Sequence, residues 1–174
     1  MATCNYHIAS SQAKLQHLLV QDATGAYRVA DDDYVVEAAR KVLERQFRPG
    51  LSLTSPSNAK EYLQLKLAFL EHEVFATIWL DCQHRVIAYE ELFRGTIDSA
   101  AVYTREVVKA ALQHNAAAVI FVHNHPSGAS APSDADKQIT KRLVDALGLI
   151  DLRVIDHMIV AGSDVLSFAE ERLL

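Results

Sequence analysis

At 174 residues the chain is about one domain long, with room for a small appendage and none for a multidomain machine. Half of its residues are hydrophobic and 22% are charged, with six glycines and four prolines, a balance that buries a core and excludes disordered and fibrous classes. The formal net charge of −5 divides into +1 up to Leu70 and −6 beyond it. The larger segment is therefore acidic, which makes nucleic acid a poor first partner, because affinity for duplex phosphates comes largely from Lys and Arg displacing counterions. The sequence contains no uninterrupted apolar run of about 18 residues, and its start, MATCNYHIASSQAKLQH, lacks the basic-then-apolar order of a secretory signal. The expectation is a cytoplasmic protein without a membrane span. Cys4 and Cys82, the two cysteines, suit a reducing compartment and are too few for a Cys-rich zinc site.

The first thirty residues have no clear period. Asp31, Asp32 and Asp33 offer N-cap groups and negative charge for a helix whose apolar face is Val35, Val36, Ala39, Leu43 and Phe47, closed by Pro49-Gly50. A second helix is expected from Ser55, with Pro56 in its first turn and Tyr62, Leu63, Leu67 and Leu70 inward. Val74 to Leu80 is β-branched and aromatic, Asp81 to His84 reads as a turn, and Arg85 to Phe93 is again extended, which predicts an antiparallel pair. Thr104 to His114 has helical spacing at Val107, Val108, Ala111 and Leu112. The apolar run Ala118 to Val122 predicts a strand buried on both faces, ending in His123. A helix from about Asp134 to Leu147 follows, with Gly148 as its stop. Leu152–Ile155, Met158–Val160 and Val165–Phe168 read as short closing strands around a Gly162-Ser163-Asp164 turn. Phe69, Phe75 and Trp79 are expected to fill the core. The sum is an α/β domain with a mixed sheet flanked by helices.

The chemistry concentrates between His123 and Asp136. Two histidines at i and i+2 on an extended segment project to the same side, so their imidazoles can converge on one ion. Asp136, in the first turn of the next helix, can bring a carboxylate oxygen to the same point. Two imidazoles and one carboxylate suit Zn²⁺ with a fourth position left for water, and zinc lowers the pKa of such water to about 7. A blander reading stands beside this one. Ser133-x-x-Asp136 ahead of a helix is also a capping box, and Pro126, Gly128 and Pro132 are ordinary turn residues. Asp156-His157 reads either as a pair near the site or as a strand-end hydrogen bond.

His123-x-His125, seven residues, Ser133, two residues and Asp136 match the JAMM signature of the MPN-domain zinc peptidases, H-x-H-x7-S-x2-D. Phe93-Arg94-Gly95-Thr96, Arg105-Glu106-Val107, Asn115 to Ala118, His123 to Gly128, Pro132-Ser133 and Asp156-His157 resemble the bacterial RadC-like (UPF0758) branch, and the likeness runs from about Leu53 to Leu174. It implies an MPN-like, cytidine-deaminase-like three-layer α/β domain over residues 53–174, preceded by an N-terminal helical element over 1–52. It implies that His123, His125 and Asp136 bind zinc, that Ser133 stabilises an oxyanion, and that an upstream Glu ahead of the central hairpin moves the proton. Glu73 is the match for that Glu, with Glu71, Glu90 and Glu91 as competitors. Asn124 stands where many eukaryotic relatives carry Ser or Thr. Longer RadC-like proteins have an N-terminal helix-hairpin-helix region, of which the first seventy residues here show no Gly-centred pair, so this chain reads as a shortened form.

The resemblance points to a zinc metallohydrolase acting on a peptide or isopeptide bond of a protein substrate. The alternative is a noncatalytic MPN module recruiting a protein or DNA partner, and a third reading is metal-assisted phosphodiester cleavage by the same water activation.

Overall fold

A computed structural model of the chain describes residues 18–21, 24–46, 50, 56–95 and 101–174, without the side chains of 43–46 and 56–58. It divides into two compact units, Met1–Ala38 and Ala39–Leu174. In the first, β1 (Leu19–Gln21) and β2 (Tyr27–Val29) pair antiparallel, within the first thirty residues, whose sequence has no clear period. α1 (Asp32–Gln46) begins in this unit, and Asp31 caps it by accepting the Tyr34 N–H at 2.8 Å. Phe47, named above on the apolar face of the first helix, and Pro49 and Ser55, named as helix boundaries, lie outside the described residues.

The second unit is a mixed sheet with helices on both faces. α2 (Pro56–Leu67) precedes β3 (Val74–Leu80) and β4 (Val86–Arg94); α3 (Thr104–Gln113), β5 (Ala118–Asn124), α4 (Asp134–Gly148), β6 (Arg153–Ala161) and β7 (Asp164–Ser167) follow. The strand order is β4-β3-β5-β6-β7, antiparallel except for β5 and β6, which run parallel through the α4 crossover. β3 and β5 lie inside the sheet and are buried at every residue, which explains why they are apolar apart from Thr77 and the His123-Asn124 end of β5.

Side-chain alternation sorts the core into two layers. Ala118, Ile120 and Val122 of β5 face α2 and pack with Leu63, Leu67, Ile78, Met158 and Val160. Val119 and Phe121 face α3 and α4 and pack with Trp79, Val107, Leu143 and Leu147. His123 continues this second row. In β6 the register shifts by one residue: Val119 pairs with Val154, but Ile120 pairs with Asp156. Ile155 is the extra residue of a β-bulge, and it places His157 opposite Phe121 on the α4 side of the sheet.

Four expectations need correction. Phe69 is 71% exposed, because α2 ends at Leu67 and the turn beyond it sends Ala68 and Leu70 to the core instead. Leu112 is 62% exposed, since it sits about 140° around the helix from Val107, and Ala110 takes the inward place. Gly148 lies inside α4; the left-handed turn that ends the helix is made by Asp151 at φ 58°, after which the Leu152 N–H donates to the Leu147 carbonyl at 3.1 Å. The segments 152–155 and 158–160 are one strand, joined through the bulge. Trp79 and Phe75 are buried as expected. Among the described residues, no helix is long and apolar enough to cross a membrane.

Candidate metal centre

The carboxyl ends of the parallel strands β5 and β6 meet the N-terminus of α4, the position where open α/β sheets bind ligands. His123, 1% exposed, is supplied by β5. His125 lies one residue past the strand and is held there by its N–H donating to the Val160 carbonyl at 2.8 Å. A turn follows in which Gly128, at φ 76°, donates its N–H to the His125 carbonyl at 3.0 Å, a conformation that a side chain would strain. The chain then enters α4 through a complete capping box. Asp136 donates its N–H to Ser133 Oγ at 3.1 Å, and its Oδ2 accepts the Ser133 N–H at 2.7 Å and the Ser133 hydroxyl at 2.6 Å. The cap therefore orients the carboxylate, and the two readings of Ser133 and Asp136 describe the same bonds.

His123 Nε2 lies 3.0 Å from His125 Nε2 and 3.3 Å from Asp136 Oδ1, and His125 Nε2 lies 3.7 Å from Asp136 Oδ2. A tetrahedral zinc with bonds of 2.0–2.1 Å sets its ligand atoms about 3.3 Å apart, so the three donors have the spacing of a cation's corners. Among the described residues this is the one His/Cys/Asp/Glu group so arranged. His125 Nδ1–H donates to the Ala129 carbonyl, which can only accept, and this leaves Nε2 as the nitrogen turned toward the cluster.

The electrostatics agree with a site that calls for positive charge. Burial alone would raise Asp136, but the imidazole nitrogens of His123 and His125 outweigh it and hold the carboxyl well below its usual range. His125 is raised chiefly by Asp136, against the opposing effect of burial, with the Ala129 carbonyl and the charge of Glu73 adding to the rise. Behind the donors His157, fully buried, is pushed well below its ordinary value by desolvation and is neutral. Its ring lies 2.8 Å from His123 Nδ1 through Nε2 and 2.6 Å from Thr140 Oγ1 through Nδ1.

Glu73 lies just ahead of β3 and lines the same cleft, of about 570 Å³, as His123, His125, Ser133 and Asp136; Phe75, Val102 and Ile139 form its apolar wall. Its backbone is fixed from two sides. The Gly95 N–H donates to the Glu73 carbonyl at 2.8 Å, while the Asn124 carboxamide accepts the Val74 N–H at 2.8 Å and donates to the His72 carbonyl at 3.0 Å. Phe75 pairs with His123, so the Asn124 side chain continues the β3–β5 ladder just where the backbone pairing stops. Of the competitors, Glu90 accepts from Trp79 Nε1 at 3.0 Å and meets His114, Glu91 pairs with Arg94, and neither these nor Glu71 lines the cleft.

Sequence reasoning missed Thr140 and the linkage of His157 to His123. Asp156 does not bond the His157 ring; its carboxylate accepts the Ser167 hydroxyl at 2.6 Å and the N–H groups of His157 and Ala169. The signal available for Thr140 was its spacing four residues beyond Asp136, one helical turn along the same face.

A model of the RadC-like JAB domain matches residues 53–173. The chain belongs to that family. A UPF0758 protein of Marinobacter nauticus is 49% identical over 162 residues, 93% of this chain and 72% of that protein. One of Vibrio cholerae is 57% identical over 136 residues, 78% of this chain and 85% of that protein. For one of Thiobacillus denitrificans the identity is 54% over 136 residues, 78% of this chain and 61% of that protein. These names carry no activity, so the comparisons give the family and the structure gives its fold, with one His-His-Asp group that could hold a metal ion among the described residues.

Proposed function

We propose that this RadC-like domain is a zinc-dependent hydrolase of peptide or isopeptide bonds, with His123, His125 and Asp136 as the metal ligands and residues 53–174 as the catalytic domain. The observation that carries the reading is the convergence of three donor side chains, whose nitrogens and carboxylate oxygens approach one another at 3.0, 3.3 and 3.7 Å, in a cleft that Glu73 also lines. Zinc held there would supply Lewis acidity, acidifying water and polarising the scissile carbonyl. Glu73 takes a proton on its carboxylate from the attacking water and delivers it to the leaving nitrogen, a role that needs its backbone held as firmly as the flanking bonds hold it. The Ser133 hydroxyl, now donating to Asp136, turns toward the oxyanion as charge builds on it. The apolar wall of Phe75, Val102 and Ile139 takes the substrate's side chains and thins the water around the reacting amide. The acidic balance of the chain supports a protein substrate over nucleic acid, and the two cysteines suit action in the cytoplasm.

Zinc content of the purified protein, and of His125→Ala and Asp136→Ala, is the first test. One zinc per chain in the wild type and none in either variant is expected; a wild type that stays free of zinc under zinc-replete conditions overturns the proposal. Comparing cellular proteins with and without Glu73→Gln then reads turnover and target together, with uncleaved substrates accumulating in the variant. A salt-sensitive DNA affinity that survives Glu73→Gln, without any peptide hydrolysis, would favour the recruiting module.

A further inference from the structure

Three hydrogen bonds run from the backbone of one proposed ligand to the ring of another. Thr140 Oγ1 lies 2.6 Å from the Asp136 carbonyl and 2.6 Å from His157 Nδ1, and His157 Nε2 lies 2.8 Å from His123 Nδ1. The carbonyl end fixes the direction of all three. A carbonyl oxygen only accepts, so the single hydroxyl proton of Thr140 goes to Asp136, the ordinary bond of a helical threonine to the residue four back. Thr140 must then accept from His157, whose proton therefore sits on Nδ1. His157 is wrapped by Phe75, Phe121 and Phe168, with ring centroids at 5.6, 6.0 and 4.8 Å, and its buried ring carries one proton, so Nε2 is bare and accepts from His123 Nδ1–H. His123 Nε2 is left as a lone pair aimed at His125 and Asp136.

We propose that Thr140 and His157 are positioning residues that set the tautomer of His123, presenting its Nε2 as a ready metal donor and tying the His123 strand to the Asp136 helix. This rests on the metal reading of the same cluster. Most metal-binding histidines are oriented by a carboxylate, a carbonyl or water. Here the orienting group is a neutral imidazole, which adds no negative charge and leaves the bound cation more electrophilic. The bulge at Ile155 is what makes this possible, because it brings the His157 side chain to the α4 face.

Two measurements on the full chain test the relay. In the metal-free wild type at mildly alkaline pH, ring nitrogen NMR should show His123 protonated at Nδ1; protonation at Nε2 overturns the proposal without any variant. Zinc affinity by chelator competition should fall about 10–100-fold in Thr140→Val, which keeps the shape and removes the hydroxyl, and return to within about twofold of wild type in Thr140→Ser. A folded Thr140→Val that binds zinc as tightly as wild type overturns it as well. A wild type that binds no zinc defeats the proposed function, while the ring spectrum still decides the tautomer.

Discussion

The two faces of the central sheet are built from the same strands and have different contents. On the α2 face Leu63, Leu67, Ile78, Ile120, Val122 and Val160 form a continuous hydrocarbon layer. On the other face the row Val119, Phe121, His123 starts in the same way, against Trp79 and Leu143, and turns polar over its last step toward the cleft. Stability therefore comes from one layer and the lower half of the other, and the candidate site is confined to the first turns of α4, the carboxyl end of β5 and the chain entering β3. Polar groups are tolerated at that end because each finds a partner: His123, His157 and Thr140 bond one another, and Asn124 bonds the chain entering β3.

If the faces are separable in this way, substitutions on one should leave the other's property unchanged. The largest effect is expected at Glu73→Gln, which should lower turnover of any cleaved substrate by about 10²–10⁴ with zinc content and melting temperature unchanged. A stability loss comparable to that of a core truncation would place Glu73 in the scaffold instead. Leu63→Ala, on the dry face, should cost about 2–5 kcal/mol in denaturant unfolding while zinc stoichiometry at 25 °C stays at one per folded chain. Loss of zinc from the folded variant would show that the two faces are coupled. Asn124→Asp sits between them. It keeps the shape and the acceptor for Val74 but faces the His72 carbonyl with a second acceptor, so about 1–3 kcal/mol should be lost, together with slow-exchange protection of the Val74 amide. Protection equal to wild type would remove Asn124 from the account of how Glu73 is held.

Much of this was legible in the residues. The unbroken run from Ala118 to Val122 announces a strand buried on both sides, and a His-x-His at its end sends two rings one way. Ser133 and Asp136 spell a capping box, which the structure contains and which also aims the carboxylate. What escaped depends on pairing between distant segments. Asn124 acts on residues fifty positions earlier, and no local pattern distinguishes a carboxamide that extends a ladder from one in solvent. The place of His157 follows from a register shift between β5 and β6, which alternation within either strand does not reveal. Phe69 and Leu112 point outward for a simpler reason: apolar identity does not set direction, which the helix end and the helix angle decide.

The bulge at Ile155 makes this arrangement tolerant of shortening and intolerant of lengthening. Excising that residue would let β6 pair without interruption and still leave Asp156 opposite Ile120 and His157 opposite Phe121, whereas a residue gained between Asp156 and His157 would set the histidine opposite Val122 and turn its ring into the oily layer. Inheritance of the polar end of the sheet thus depends on the count of residues in one strand as much as on their identity, and a one-codon insertion there would dismantle it while every donor in the motif remained.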